Sequence, residues 1–481
     1  MDVDDLCLIS LEAVGALIAA KDVSPVELTE ALLRRVERYQ PDLNAFVTVT
    51  ADQALDSARR AEREIAKGSY RGSLHGVPVA LKDNIATKGV RTTAGSRVLS
   101  DWVPGQDAHV VRRLRLAGAV CVGKLGMHEF AFGTTSDNPH FGEIRNPWDL
   151  SRSPGGSSGG SGVATAMGMA FATLGTDTAG SIRIPASECG CVGLKATYGR
   201  VALRGVIPLA PTLDHVGPLT RTVNDAAIVL RAVAGHEPGG AGSAIRPLPD
   251  LVPDLESRAH GLRIGVPCDY FWQGSGMWRT GGHRRALDGA IEGLVRAAVD
   301  VLASSGAVVV ETMFEGAEKF SGCVGDIIAA EAAAEHTGWF PARSDEYGPG
   351  VASSLAYGAT IPASVVAEKR AEVRRARAGA ADQALRGVDV LAVPTMPAPP
   401  PTFHQVRSDG YDVRRTIFTG LFDVTGQPVV TVPCGFTAGG LPTGISFVGR
   451  RWDEQAVLRV ARCYEQARGE LPSPPAELRR S

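Results

Sequence analysis

The chain is 481 residues long, 44% hydrophobic and 21% charged, a balance that excludes a largely disordered protein and assures a sizeable core. Its 50 Lys and Arg nearly cancel its 52 Asp and Glu, for a formal net charge of -2, and no basic run is long enough to follow a phosphate backbone, so nucleic acid is not an expected partner. The opening MDVDDL is acidic where a leader would be basic, and no apolar run reaches the roughly 18 residues that span a bilayer, so the expectation is a cytoplasmic protein with no membrane partner.

Ser24-Pro25-Val26-Glu27 is a capping box with proline at the first helical position, and the apolar spacing of LTEALLRRVERY continues it as a helix. LNAFVTVT predicts a strand, and ADQALDSARRAEREIAKG a polar helix stopped by Gly68. HGVPVALKDNIATKG begins with a short apolar strand that ends on Lys82. Helix followed by strand recurs in AHVVRRLRLAG and AVCVGK, and again in DGAIEGLVRAAVDVLASSG and AVVVET, which predicts an α/β architecture with a largely buried sheet. LRIGVPC, VDVLAVPT and PVVTVPCGF read as further apolar strands. Residues 235–262 hold enough Gly and Pro for an exposed connection, but the strand that follows favours one continuous domain over residues 1–481, with a variable insertion at about 270–385. The eight cysteines are sparse, and Cys189 and Cys191 lack the second pair of a zinc site, so they read as buried thiols flanking Gly190, with no metal or cofactor expected.

Residues 153–191, SPGGSSGGSGVATAMGMAFATLGTDTAGSIRIPASECGC, place two glycine-serine turns on either side of an apolar run. A linker would not carry the material of a buried helix and strand. The first turn fits the start of a helix running through VATAMGMA. It lacks the lysine of a phosphate loop, and although G-x-S-x-G fits Ser157 and Ser158, the polar RNPWDLSRSP before it does not supply the strand that a nucleophile elbow needs. In the second turn Thr178, Ala179 and Gly180 lead into Ser181, and residues this small let successive N–H groups face one concavity that suits a developing oxyanion. The alternative is a turn whose serine only caps the next segment.

A serine hydroxyl needs a base. His75, His128, His140, His215 and His404 have no flanking pattern that puts them beside Ser181. Lys82 is the sharper candidate, because a sheet would draw its stem into apolar surroundings and disfavour the charged form. Work as a base near neutral pH requires a depression of roughly 2 to 3 pKa units. Read alone, a lysine at a strand end more often snorkels to solvent.

Taken together and in this order, GVPVALKDNIATKG, PGGSSGGSG and GTDTAGSIRIPAS resemble the amidase signature family of serine hydrolases. The similarity runs through most of residues 24–235, including LDHVGPLTRTVNDAA, and returns in VDVLAVPT and DVTGQPVVTVPCGFTAGGLPTGISFVGR. The resemblance implies a large mixed, mostly buried β-sheet covered by helices on both faces. It also implies a Ser-Ser-Lys triad: Ser181 as nucleophile, Ser157 as a proton relay usually held by a cis peptide bond, and Lys82 as the ultimate base. The backbone N–H groups of Thr178, Ala179, Gly180 and Ser181 would form the oxyanion hole. Asp177 and Arg183, on either side of the nucleophile, suggest an ion pair that holds the loop, with independent surface or substrate contacts the alternative, and Ser158 suggests a hydrogen bond within the site or a turn-stabilising one. Many members have Gly-Gly-Ser where this chain has Ala179-Gly180-Ser181, which an alanine tolerates if its φ is negative.

The resemblance leads to an amidase that acts on a small-molecule amide, anilide, carbamate or ester through an acyl-enzyme. Phe130, Phe132 and Thr134 are candidate pocket residues, with core packing the alternative for both phenylalanines. Some relatives are glutamine-hydrolysing A subunits of amidotransferases. There a basic element follows a YGP-like turn, whereas YGPGVASSLAYG has Ser353 and Ser354 here, which favours a stand-alone enzyme. A non-catalytic binding protein that keeps the fold is a further alternative, and a homodimer stays open, with YFWQGSGMW and GWFPARSDEYG as segments for a pocket cover or a dimer contact.

Overall fold

The computed structural model describes residues 3–238, 242–249, 251, 259–272, 278–280, 283–285, 287–408 and 413–478. Among them eleven strands form one mixed sheet: β1 (Phe46–Val49), β2 (Pro78–Lys82), β3 (Val120–Leu125), β4 (Ala172–Asp177), β5 (Val192–Lys195), β6 (His215–Thr220), β7 (Arg263–Pro267), β8 (Val308–Thr312), β9 (Val390–Pro394), β10 (Val429–Phe436) and β11 (Pro442–Val448). Their spatial order is β1-β3-β2-β4-β6-β5-β10-β11-β9-β7-β8. The ladder is parallel across β3, β2 and β4 and again across β9, β7 and β8, and antiparallel through the middle. Helices cover both faces, and β2, β4, β5, β6, β9 and β11 are buried at every position. That is why these strands read as short apolar runs rather than as alternating ones.

The helix that starts at Pro25, preceded in the chain by helices Val3–Leu6 and Leu11–Ala20, is capped as the sequence suggests, with the Ser24 hydroxyl accepting from the N–H groups of Val26 (3.1 Å) and Glu27 (3.3 Å). It runs to Leu43, past the expected end at Tyr39, with Pro41 inside its last turn at the cost of one helix hydrogen bond, and it closes at Asn44, which takes φ 52° and donates its N–H to the Gln40 carbonyl oxygen. The helix after the first glycine-serine turn is shorter than expected. It spans Gly159–Ala166 and stops where Gly168 takes φ +64°, a position at which an added Cβ would lie 2.7 Å from the Cys7 carbonyl oxygen. Strands β5, β6 and β11 were not among the predicted elements. Each is interrupted by glycine or proline, and their antiparallel pairing within a buried sheet supplies the order that local propensity does not.

Within residues 270–385 the described part is mostly helical and adds β8 as an edge strand of the same sheet. Part of the 235–262 connection and residues 273–277 of YFWQGSGMW lie outside the described residues. Cys189 and Cys191 are buried, and Gly190 between them has φ +75°. No single helix among the described residues is long and apolar enough to cross a membrane.

Candidate active site

Strand β2 delivers Lys82 to the interior from its last position, between two parallel neighbours, and the side chain is fully buried. Its Nζ lies 2.7 Å from Ser157 Oγ and 2.7 Å from Thr176 Oγ1, near the end of adjacent β4. Asn84 Nδ2 also donates to Thr176 Oγ1, at 3.2 Å. Burial pulls the Lys82 ammonium down to about 7, and the carboxylates of Asp177 and Asp214 only partly restore it. An amine at that value is available as a base at neutral pH.

Both glycine-serine turns converge on this point. The Gly156–Ser157 peptide is cis. A Cβ on Gly156 would come within 2.8 Å of the Thr134 carbonyl carbon and 2.9 Å of Ser136 Oγ, so only glycine allows the turn to lie so close to the 134–136 segment. Ser158 Oγ donates to the Thr176 carbonyl oxygen (3.1 Å) and accepts from the Thr176 N–H (3.3 Å), tying the turn to β4. The Ser158 N–H donates to the Ser181 carbonyl oxygen at 3.3 Å, and that bond joins the two turns. Lys82 and Ser157 are thus linked through their side chains, and Ser181 meets them through backbone. The Ser181 hydroxyl makes no hydrogen bond to another described residue.

The second turn is shaped by Asp177. Its carboxylate accepts from the N–H groups of Gly180 (2.5 Å) and Ile182 (3.1 Å) and pairs with Arg183 through two bonds of 2.9 Å. The Gly180 N–H, expected in the oxyanion hole, is therefore engaged. The N–H groups of Thr178, Ala179 and Ser181 have no acceptor among the described residues. Ala179 keeps a φ outside the left-handed region, which Gly180 occupies instead at φ +130°, where a Cβ would fall 2.3 Å from Thr419 Oγ1. The Thr178 hydroxyl donates to Asp214 at 2.6 Å, and Asp214 is fixed by the N–H groups of Leu209 and Ala210.

Sequence reasoning reached Arg183 and Asp177 but not the network around them. Arg183, with no exposed surface, also donates to Asp423 Oδ2 (2.6 Å) and to the Thr419 carbonyl oxygen (2.8 Å). Burial pushes the Asp177 carboxyl up, yet Arg183 outweighs it and holds the group well below the usual carboxylate range. Burial and the charge of Asp177 push Asp423 the other way. Thr176, Asp214 and Asp423 fall within the stretches that carry the resemblance but had no role assigned to them there, Lys195 falls in none of those stretches, and it is the pairing of the central strands that brings all four together.

The remaining candidates separate. Phe130 is 2% exposed and packs against His336, Trp339 and Tyr347, with ring centroids 4.4, 6.1 and 5.5 Å away, which is the packing role. Phe132 is half-buried, and Thr134 is buried against the turn that carries Ser157. His75 pairs with Glu64, His140 with Glu129, and His215 lies against Lys195; no histidine among the described residues bonds a side chain of the two turns. Ser354 donates to the Gly350 carbonyl oxygen on an exposed helix face.

Residues 27–458 match the family model described as Amidase. The A subunit of a glutamyl-tRNA(Gln) amidotransferase of Anaeromyxobacter sp. (strain K) is 42% identical over 500 aligned positions, covering 98% of this chain and 98% of that one. Among solved structures, the native peptide amidase of Stenotrophomonas maltophilia is similar with a TM-score of 0.82 at 31% identity, covering 97% of this chain and 98% of the other. The glutamyl-tRNA(Gln) amidotransferase A subunit of Thermotoga maritima gives 0.79 at 29% identity, covering 98% of both.

Proposed function

The chain belongs to the amidase family and is a hydrolase of amide C–N bonds; on that premise we propose that it acts through an acyl-enzyme on Ser181, with Ser157 and Lys82 as its proton path. The observation that carries the proposal is the buried Lys82 amine, about 7 in pKa, 2.7 Å from Ser157 Oγ. Neutral Lys82 takes the Ser157 proton while Ser157 takes that of Ser181, whose Oγ attacks the amide carbonyl. The N–H groups of Thr178, Ala179 and Ser181 meet the oxyanion that develops, held in place by Asp177, Arg183 and Asp214 rather than by the substrate. The proton returns along the same path to the departing amine, and water then releases the acid.

A stand-alone enzyme acting on a neutral or aromatic amide is the favoured form, since the helix after the YGP turn carries Ser353 and Ser354 where a basic element would suit an amino-acid substrate. Phe132 and Thr134 are proposed to line the acyl side. The second reading, a glutamine-hydrolysing A subunit, is favoured by the 42% identity to a protein of that name over nearly the whole chain. The purified chain, assayed on aryl amides and on glutamine, separates the two. Aryl amide turnover with glutamine ignored is the expected result, and glutamine hydrolysis that appears only with partner chains would reverse the order. Labelling of Ser181 by an alkyl fluorophosphonate, lost in Ser181→Ala, tests the nucleophile, and no labelling of the folded protein would return the binding-protein reading.

A further inference from the structure

Behind the nucleophile loop lies a second concave site. The helix Ala363–Arg375 and the turn after it set Arg370, Arg374 and Arg377 along a cavity of about 400 Å³ that Val373, Ala378 and Thr212 complete. The three arginines follow helical spacing and so share one face. Guanidiniums gathered this way repel one another unless counter-charge is supplied.

One carboxylate meets them, and it is already committed. Glu331, with its side chain 3% exposed, accepts from Arg370 Nε (2.8 Å) and Nη2 (2.6 Å) and from the Thr212 N–H (2.9 Å) and hydroxyl (2.5 Å). Arg377 donates to the carbonyl oxygens of Val424 (3.0 Å), Thr212 (2.9 Å) and Asp423 (2.8 Å) and lies 3.9 Å over the Tyr198 ring. None of those partners carries a full negative charge, and the Asp423 carboxylate is turned to Arg183. Burial, with nearby Arg451 adding to it, pulls Arg377 down to about 10, as befits a guanidinium short of counter-charge. Arg374 is exposed and has no acceptor among the described residues.

We propose that this cavity binds a small dianion of the phosphate or dicarboxylate kind, with Arg374 and Arg370 gripping it at the rim and Arg377 supplying positive charge at the base. Guanidinium forks match such planar or tetrahedral oxyanions and hold them by charge-assisted bonds. The volume suits a ligand larger than the ion alone, such as a phosphate monoester. The site is separate from the candidate active site but backs onto it. Thr212 stands two residues before Asp214, which holds Thr178, and Arg377 clasps the carbonyl of Asp423, whose carboxylate holds Arg183.

Isothermal titration of the whole chain with inorganic phosphate, and separately with succinate, at constant ionic strength tests the proposal without any reference to catalysis. Arg374→Glu is the informative variant, since an exposed arginine without a partner can be replaced without disturbing the fold. Arg59→Glu, on the distant helix Ala51–Ala66, matches its change in charge. The expected result is saturable binding of at least one of the two anions by the wild type and by Arg59→Glu, weakened by about tenfold or more in Arg374→Glu, as loss of a charge-assisted contact requires. Phosphate binding alone assigns the site to phosphate compounds, and succinate binding alone to dicarboxylates. Absence of saturable binding of either anion by the wild type overturns the proposal, and so does equal binding by Arg374→Glu and Arg59→Glu.

Discussion

Lys82 and Lys195 are both fully buried, and burial pulls both ammonium groups down to about 7, yet their surroundings differ in kind. Lys82 faces two hydroxyls, Ser157 and Thr176, each at 2.7 Å, with the Thr176 carbonyl oxygen farther off at 3.5 Å. Lys195 faces the carbonyl oxygens of Gln427 (2.7 Å) and Ala196 (3.3 Å), and Nε2 of His215 (3.3 Å), a ring whose own pKa burial drives well below its usual value. A carbonyl can only accept, so it holds an amine in place and never gives it a proton. Desolvation makes a lysine available as a base, and a neighbouring O–H gives it something to do.

The comparison breaks most visibly by substitution. Lys82→Met should lower amide hydrolysis by about 10⁴-fold, as loss of a base that acts with its nucleophile does. Lys195→Met should stay within about tenfold of the wild-type rate and instead lower the urea midpoint, by an amount corresponding to roughly 1 to 3 kcal/mol for carbonyls left unpaired. Equal collapse of activity in both, with both folded, would mean that the two amines share a role. Next in size is Arg183→Met, which strands two buried carboxylates, Asp177 and Asp423, and should cost about 3 to 5 kcal/mol in denaturant unfolding.

The pH dependence sharpens the contrast. With neutral Lys82 as base, kcat/KM should rise with pH to a plateau through a limb at about 7. Stability follows a different rule. Between about 7 and the ordinary lysine value of 10.5 the folded chain binds fewer protons than the unfolded one, so both lysines make stability increase with pH across that window. Lys195→Met should remove part of that slope and leave the kinetic limb where it was. A shifted limb in Lys195→Met would couple the two groups.

How far the sequence discloses this site follows from what each part depends on. VPVALK shows a strand carrying a lysine inward, and GGSSGG and DTAGS show turns that only small residues permit, because those features are local. Asp423 is 246 positions from Asp177, and Lys195 lies on a four-residue strand, so no spacing announces either. The engagement of the Gly180 N–H by Asp177 is likewise a matter of loop geometry, and the composition of the loop fits an open hole equally well. Strands β5, β6 and β11 escaped for the same reason, being held by neighbours on both sides rather than by their own residues. Phe130 shows the limit from the other direction: an aromatic residue near the site suits a pocket or a core, and only its contacts with His336, Trp339 and Tyr347 decide.

Thr176 offers the finest test of what separates the two lysines. Its Oγ1 stands 2.7 Å from Lys82 Nζ and 3.2 Å from Asn84 Nδ2, and the Asn84 amide nitrogen can only donate. With Asn84 on one lone pair, Oγ1 takes an N–H of Lys82 on the other, which leaves the lone pair of the neutral amine directed at Ser157. Thr176→Val keeps the shape and deletes that acceptor. The protonated amine, with three N–H groups to satisfy against two, loses more than the neutral one, so the kinetic limb should move below 7. The plateau rate should fall by about tenfold, since an amine no longer aimed serves less often as a base. A limb that moves upward, or a plateau that stays unchanged, would mean that the hydroxyl does not orient the amine, and the distinction between Lys82 and Lys195 would then rest on Ser157 alone.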